Sequence, residues 1–220
     1  MASPFIAALL LAASAGPALP CVDGDAPPRA VLESPADDVL RALYMRGQTF
    51  DDFHAEADSR RELWDRNYGQ GQVPEDMVRR ARAVGGTWHL LAVAIDGCSD
   101  SVSTIPYLAL LAERVPGLEM RIVDSTVGRA VMEARRTPDG RAATPTVVLL
   151  DADYDDAGCF IERPKDLQAW LAENDGTLSR DALFEGKMGW YQDDAGASTV
   201  AEVVALMEAA AAGQPRCDGA

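Results

Sequence analysis

Cys98 is the residue of this chain best placed to do chemistry. It follows a short apolar run, precedes a segment of helical spacing and opens the sequence Cys98-Ser99-Asp100-Ser101. A cysteine at the start of a helix meets unpaired backbone amides and the positive end of the helix dipole, which stabilise a thiolate and lower the thiol pKa. The thiolate is the nucleophile of disulfide exchange. The frame is C-x-x-S, so the hydroxyl of Ser101 stands where a second sulfur would complete a dithiol. Ser101 can hydrogen-bond a thiolate, but it cannot resolve a mixed disulfide. A self-contained dithiol cycle at this motif is therefore excluded, and exchange needs another thiol: glutathione, a partner protein or Cys159. Asp96 and Asp100 flank the cysteine, and negative charges so close oppose the helix by raising the thiol pKa.

Three further cysteines are Cys21, Cys159 and Cys217. Cys159 falls on an expected strand and reads as an inert core thiol. Cys21 and Cys217 lie near the two ends of the chain, and domain termini often sit close together, so a Cys21–Cys217 staple is one expectation. Four cysteines allow three full pairings, and spacing does not choose among them. His54 and His89 are the only histidines, and no Cys–His or Ser–His–Asp grouping can be argued. His89, on an expected strand, reads as a packed residue. Asp151, Asp153, Asp155 and Asp156 alternate partly like a calcium loop, but the glycine and terminal glutamate are not at the required offsets. A solvated turn is the better reading, and no metal or cofactor is expected.

These residues must be positioned by the elements around them. Residues 37–46 carry Val39, Leu40 and Leu43 on one helical face. Thr49 can cap a helix through Phe50, Phe53, Ala57 and Leu63-Trp64, and Pro74 suits the first turn of a third helix, stopped by Gly85-Gly86. Trp88 to Ile95 is nearly continuous apolar sequence, as in a strand buried on both faces. Residues 102–115 have helical spacing, with Pro106 predicting a kink. Strands are expected at 119–123, 146–150 and 159–162, with a short helix over 127–134. Further helices start at Pro164 and, capped by Ser198, run over 198–212 to Gly213. Thr144-Pro145 immediately precedes the third strand, where a proline is a candidate for a cis bond that turns the backbone toward Cys98. The order is β-α-β-α-β-β-α after three helices. It implies a parallel, right-handed β-α-β unit followed by an antiparallel hairpin.

A strand leading to Cys98, Pro106 in the helix and Thr144-Pro145 before the third strand resemble the thioredoxin superfamily. The pattern is similar to its thioredoxin-like branch with a W-C-G-D motif, here Gly97-Cys98-Ser99-Asp100. Ile105-Pro106, Gly140-Arg141, Arg163-Pro164, Trp190-Tyr191 and Asp193-Asp194 also fit that branch, over residues 40–212. The resemblance implies an α/β thioredoxin-like fold: a central mixed sheet of about four strands flanked by helices, with an N-terminal helical extension. It implies Cys98 as nucleophile, with Ser101 supporting its anionic form. Thr144 and Pro145 would form the groove that holds an extended substrate, with Gly97 and Asp100 beside it. Gly97 replaces the usual aromatic residue and removes apolar cover, and residues 90–95 hold no carboxylate in place of the superfamily's buried acid. Arg163 is expected to pair with a nearby carboxylate.

The expected organisation is a signal peptide over 1–18, a flexible lead-in over 19–36, a helical extension over 37–86, a thioredoxin-like domain over 87–213 and a tail over 214–220. The apolar run from Phe5 to Ala13 with Ala13-Ser14-Ala15 has the pattern of an export signal. Export implies a periplasmic or secreted location that permits disulfides. Membrane contact would follow only from lipidation of Cys21, whose preceding Pro20 makes a poor lipidation box. With 35 acidic and 20 basic residues in 220, the net charge of −15 argues against a nucleic-acid partner. Two functions are expected from the residues. One is exported monothiol exchange with protein thiols, protein disulfides or glutathione through Cys98. The other is a non-catalytic module that binds peptides at Thr144-Pro145.

Overall fold

Apolar residues at every position from Leu90 to Val93 leave no polar face on which a strand could rest in water. The computed structural model, which describes residues 34–218, resolves this by covering the sheet on both sides. Five strands form it: β1 (Trp88–Val93), β2 (Leu118–Val123), β3 (Thr146–Leu150), β4 (Asp156–Ile161) and β5 (Arg216–Asp218). Their order is β2-β1-β3-β4-β5. β1 and β2 are parallel, β3 runs antiparallel to both β1 and β4, and β5 lies parallel to β4. Alternate residues of β1 feed different cores. Leu90 and Ala92 join Met120, Ile122, Val147 and Leu149 on one face. Leu91 and Val93 join Val123, Val148 and Leu150 on the other.

The first core is closed by α2 (Phe50–Glu56), α3 (Arg61–Gly69), α4 (Glu75–Val84), α6 (Ile105–Arg114) and α10 (Ala197–Ala211). The second is closed by α1 (Asp37–Arg46) and α7 (Arg129–Ala134). Residues 37–86 are thus packed onto the sheet: Trp64 is fully buried, with Phe53 edge-on at 5.4 Å between ring centroids. Thr49 caps α2 by accepting from the Asp52 amide at 3.1 Å. The helix expected to continue through Trp64 instead ends at Ala57 and restarts as α3 after Arg60, whose φ of 53° reverses the chain.

Other expectations also shift. The kinked helix over 102–115 is two helices, α5 (Ser99–Val102) and α6, because Pro106 sits in the first turn of α6 rather than in a helix interior. The last helix is preceded by Gly196 at φ 80°, while Ser198 donates its amide and hydroxyl to Asp194. Between α8 (Lys165–Asn174) and α10 lies α9 (Arg180–Asp194), a helix beyond those expected from the sequence. Gly186 lets α9 approach α8, since a Cβ there would fall 2.4 Å from the Trp170 ring.

The fifth strand overturns two expectations about sulfur. β5 places Cys217 opposite Cys159 in the β4–β5 ladder, with their Cα atoms 4.4 Å apart, and the two form a disulfide. Cys159 is therefore not a core thiol, and Cys217 is not bonded to Cys21. Cys21 lies outside the described residues, as do the proposed signal peptide and most of the lead-in.

Candidate functional site: a buried cysteine and its ion cluster

The site forms where β1 ends and β3 begins. β1 runs into the loop Asp96-Gly97-Cys98, and Cys98 stands immediately before α5. The Thr144-Pro145 peptide bond is cis. The Cys98 Sγ lies 3.2 Å from the Thr144 carbonyl oxygen and 3.4 Å from the Ser101 amide nitrogen, which points its N–H at the sulfur. The Ser101 hydroxyl is turned elsewhere and accepts from the Ile95 amide at 3.4 Å. Support for a Cys98 anion thus comes from the Ser101 backbone rather than from its side chain. The Thr144 carbonyl, an acceptor, favours the protonated thiol. Cys98 is 0 % exposed, and Thr144 and Pro145 are buried with it.

Cys98 is disulfide-bonded. Its partner is neither Cys159 nor Cys217, which are bonded to one another. The fourth cysteine of the sequence, Cys21, is outside the described residues.

The loop before Cys98 is gripped by the turn between α2 and α3. The Asp96 carboxylate accepts from the amides of Asp58 at 3.0 Å and Ser59 at 2.8 Å. The Asp96 carbonyl accepts from the Trp64 indole at 3.0 Å. The Gly97 carbonyl accepts from Arg60 Nε at 2.7 Å. Gly97 leaves no side chain over the cysteine, and a guanidinium occupies its carbonyl instead. Sequence reading missed Arg60 and Trp64 in this role, because only the α2–α3 reversal brings them to residues 96–97.

Asp100 is the buried acid of the site. Fully enclosed, its carboxylate accepts from Arg163 Nε at 3.0 Å, Lys187 Nζ at 2.9 Å and the Tyr191 hydroxyl at 2.8 Å. Burial alone would raise its pKa, but the Arg163 and Lys187 charges outweigh that and hold the carboxyl at about 2. Lys187 also donates to Ser99 Oγ at 2.9 Å. Burial moves the Lys187 ammonium below its ordinary range against the pull of Asp100, and burial beside Asp100 pushes the Tyr191 phenol well up. Arg163 continues the network to Glu162 at 2.8 Å, and Arg141 grips Glu162 with two bonds of 3.1 Å. Burial raises the Glu162 carboxyl despite both arginines. The expected Arg163–carboxylate pair is thus present, and Asp100 is not a bare charge beside the sulfur. Lys187 was missed. Its signal is a lysine four residues before Tyr191, on one face of α9.

Of the other residues read from sequence, His89 is buried against Tyr154, with ring centroids 4.3 Å apart. Asp151 closes its turn by accepting from the Asp153 and Asp155 amides. Among the described residues, no group of three or more His, Cys, Asp or Glu side chains is arranged to hold a metal. No described helix is long and apolar enough to cross a membrane.

A mixed sheet with a cysteine after its first strand, facing a cis-proline before its third, defines the thioredoxin fold. A thioredoxin family model matches residues 47–177, more than half of the chain, and the chain belongs to that family. The match begins inside the helical segment. Two solved structures are similar in fold. One is a protein of unknown function from Pseudomonas aeruginosa, 21% identical, with a TM-score of 0.59. The other is an HIV epitope-scaffold, 17% identical, with a TM-score of 0.61. Each comparison covers 76% of this chain and 96% of the other. No curated protein matches.

Proposed function

We propose that this thioredoxin-family protein carries out thiol–disulfide exchange through Cys98, in the branch with the W-C-G-D type motif, and that it is exported. The observation that carries the reading is the Cys98 sulfur, disulfide-bonded, aimed at by the Ser101 amide and facing the cis Thr144-Pro145 bond. The fully buried Cys98 sulfur is closed to an incoming nucleophile, so Cys98 takes part as the leaving group. A thiolate from a protein partner or glutathione attacks the sulfur bonded to Cys98. A new disulfide forms to the attacker, the old bond breaks, and its electron pair leaves on Cys98 as a thiolate held by the Ser101 amide. Leaving is faster the lower the pKa of the departing thiol. The apolar run at residues 5–13, the A-x-A pattern and the Cys159–Cys217 bond support export.

The test follows alkylation of reduced Cys98 against pH, with Cys98→Ser as control. A half-point well below the free-thiol value of about 8.5 supports exchange. A value at or above it, with no mixed disulfide trapped from cell extracts on the sulfur that Cys98 releases, overturns the reading in favour of a binding module. Recovery of the protein from cells with Met1 retained overturns the export proposal.

A further inference from the structure

Lys187 is a buried cation on a helix remote in sequence from Cys98, yet its ammonium reaches both residues that follow the cysteine. It lies 2.9 Å from Ser99 Oγ and 2.9 Å from Asp100 Oδ2. Cations and anions balance in this cluster. Arg141, Arg163 and Lys187 face Asp100, Glu162 and Asp139, joined by the contacts Arg141–Asp139, Arg141–Glu162, Arg163–Glu162, Arg163–Asp100 and Lys187–Asp100. Asp100 is fully buried and two residues from the sulfur, so an uncompensated charge there acts through protein rather than water.

We propose that Lys187 is a positioning residue for the Cys98 sulfur: it fixes Asp100 and cancels its charge, so that the Cys98 thiolate does not form beside an unbalanced carboxylate. The proposal rests on the exchange reading above. The other groups flanking Cys98 are already committed. Asp96 is held by the Asp58 and Ser59 amides, and Arg60 is bonded to the Gly97 carbonyl. On the far side of Asp100, Arg163 is shared with Glu162, and Tyr191 brings a neutral hydroxyl. Lys187 is therefore the cation whose removal leaves the cluster one charge negative. A unit charge roughly 8 Å away at an effective dielectric constant of about 20 moves a pKa by about 1.5 units. Loss of Lys187 should raise the Cys98 pKa by about one unit or more, slowing both attack by Cys98 and its departure.

The experiment measures the pH profile of Cys98 alkylation in the reduced full chain, resolved by peptide, for wild type, K187M, K187Q and the double variant D100N/K187M. K187Q keeps a hydrogen-bond donor toward Asp100 and carries the test if K187M does not fold. Both single variants are expected to shift the half-point upward by about one unit, and the double variant to return close to wild type, because it removes both members of the charge pair. Half-points unchanged in the single variants overturn the proposal. So does a shift that persists in the double variant, since it would report lost packing. Failure of the exchange reading shows separately, as a wild-type half-point at or above that of a free thiol.

Discussion

Replacing Asp100 by asparagine should remove the anchor of the buried ion cluster without changing side-chain size. The Asp100 Oδ1 atom accepts from Arg163 Nε, Lys187 Nζ and Tyr191, and Oδ2 accepts from Arg163 Nη2 and Lys187 Nζ. An amide keeps one acceptor oxygen and turns an NH2 group toward donors. Lys187 then loses its carboxylate partner, and Arg163 keeps only Glu162. Breaking a buried pair in this way costs about 3–5 kcal/mol. In a chain of this size that lowers the melting temperature by roughly 6–20 °C.

The same group sets an acid limb. The Asp100 carboxyl is depressed from 3.8 to about 2, because the Arg163 and Lys187 charges outweigh burial. A depressed acid contributes stability that is present above its unfolded pKa and is lost as pH falls through the folded one. Between pH 4 and pH 2 the wild type should lose about 2 kcal/mol through this group. Glu162 is shifted the other way, by burial. Its contribution favours the protonated form and is lost as pH rises above the ordinary carboxylate range, so it does not mimic this limb. Urea unfolding of the oxidised wild type and D100N, at pH 7 and through the acid range, measures both quantities. A D100N stability within about 0.5 kcal/mol of wild type, the ordinary size of a surface effect, would refute the reasoning. So would an acid limb that survives in D100N.

Two further outcomes concern the scaffold. Cys159 and Cys217 are 58 residues apart, and the chain-entropy model assigns closure of a loop that long about 4 kcal/mol. C217S should lose most of this in urea unfolding, and non-reducing peptide mapping of the wild type should return a Cys159–Cys217 peptide and no Cys21–Cys217 peptide. Gly196→Ala should cost about 2 kcal/mol or more. The new Cβ would fall 2.1 Å from the Tyr107 ring, at a φ of 80° that side chains avoid; thermal unfolding reads the loss.

Much of the fold could be read locally. Unbroken apolar sequence over 90–93 and 146–150 signals strands buried on both faces, whatever packs on them. Thr49 and Gly85 mark helix ends by backbone chemistry that needs no distant partner. The break of the second helix at Ala57–Arg60 was not legible, because neither glycine nor proline marks it. A reversal at Arg60 is worthwhile only once Asp96 and Gly97 are there to receive the amides and the guanidinium. Helix α9 is not legible locally, because its buried positions include Lys187, which looks like a solvent residue until Asp100 is placed opposite.

By itself the sequence determined where a reactive sulfur could stand. Cys98 falls between a strand and a helix, and Thr144-Pro145 heads the strand beside it, because periodicity, capping and proline act over a few residues. Only the tertiary structure decided what surrounds that sulfur. The cysteine pairing depends on a three-residue strand landing next to β4 in one register. The charge at Asp100 depends on Arg163 and Lys187, 63 and 87 residues further along the chain, which meet it only in the folded protein.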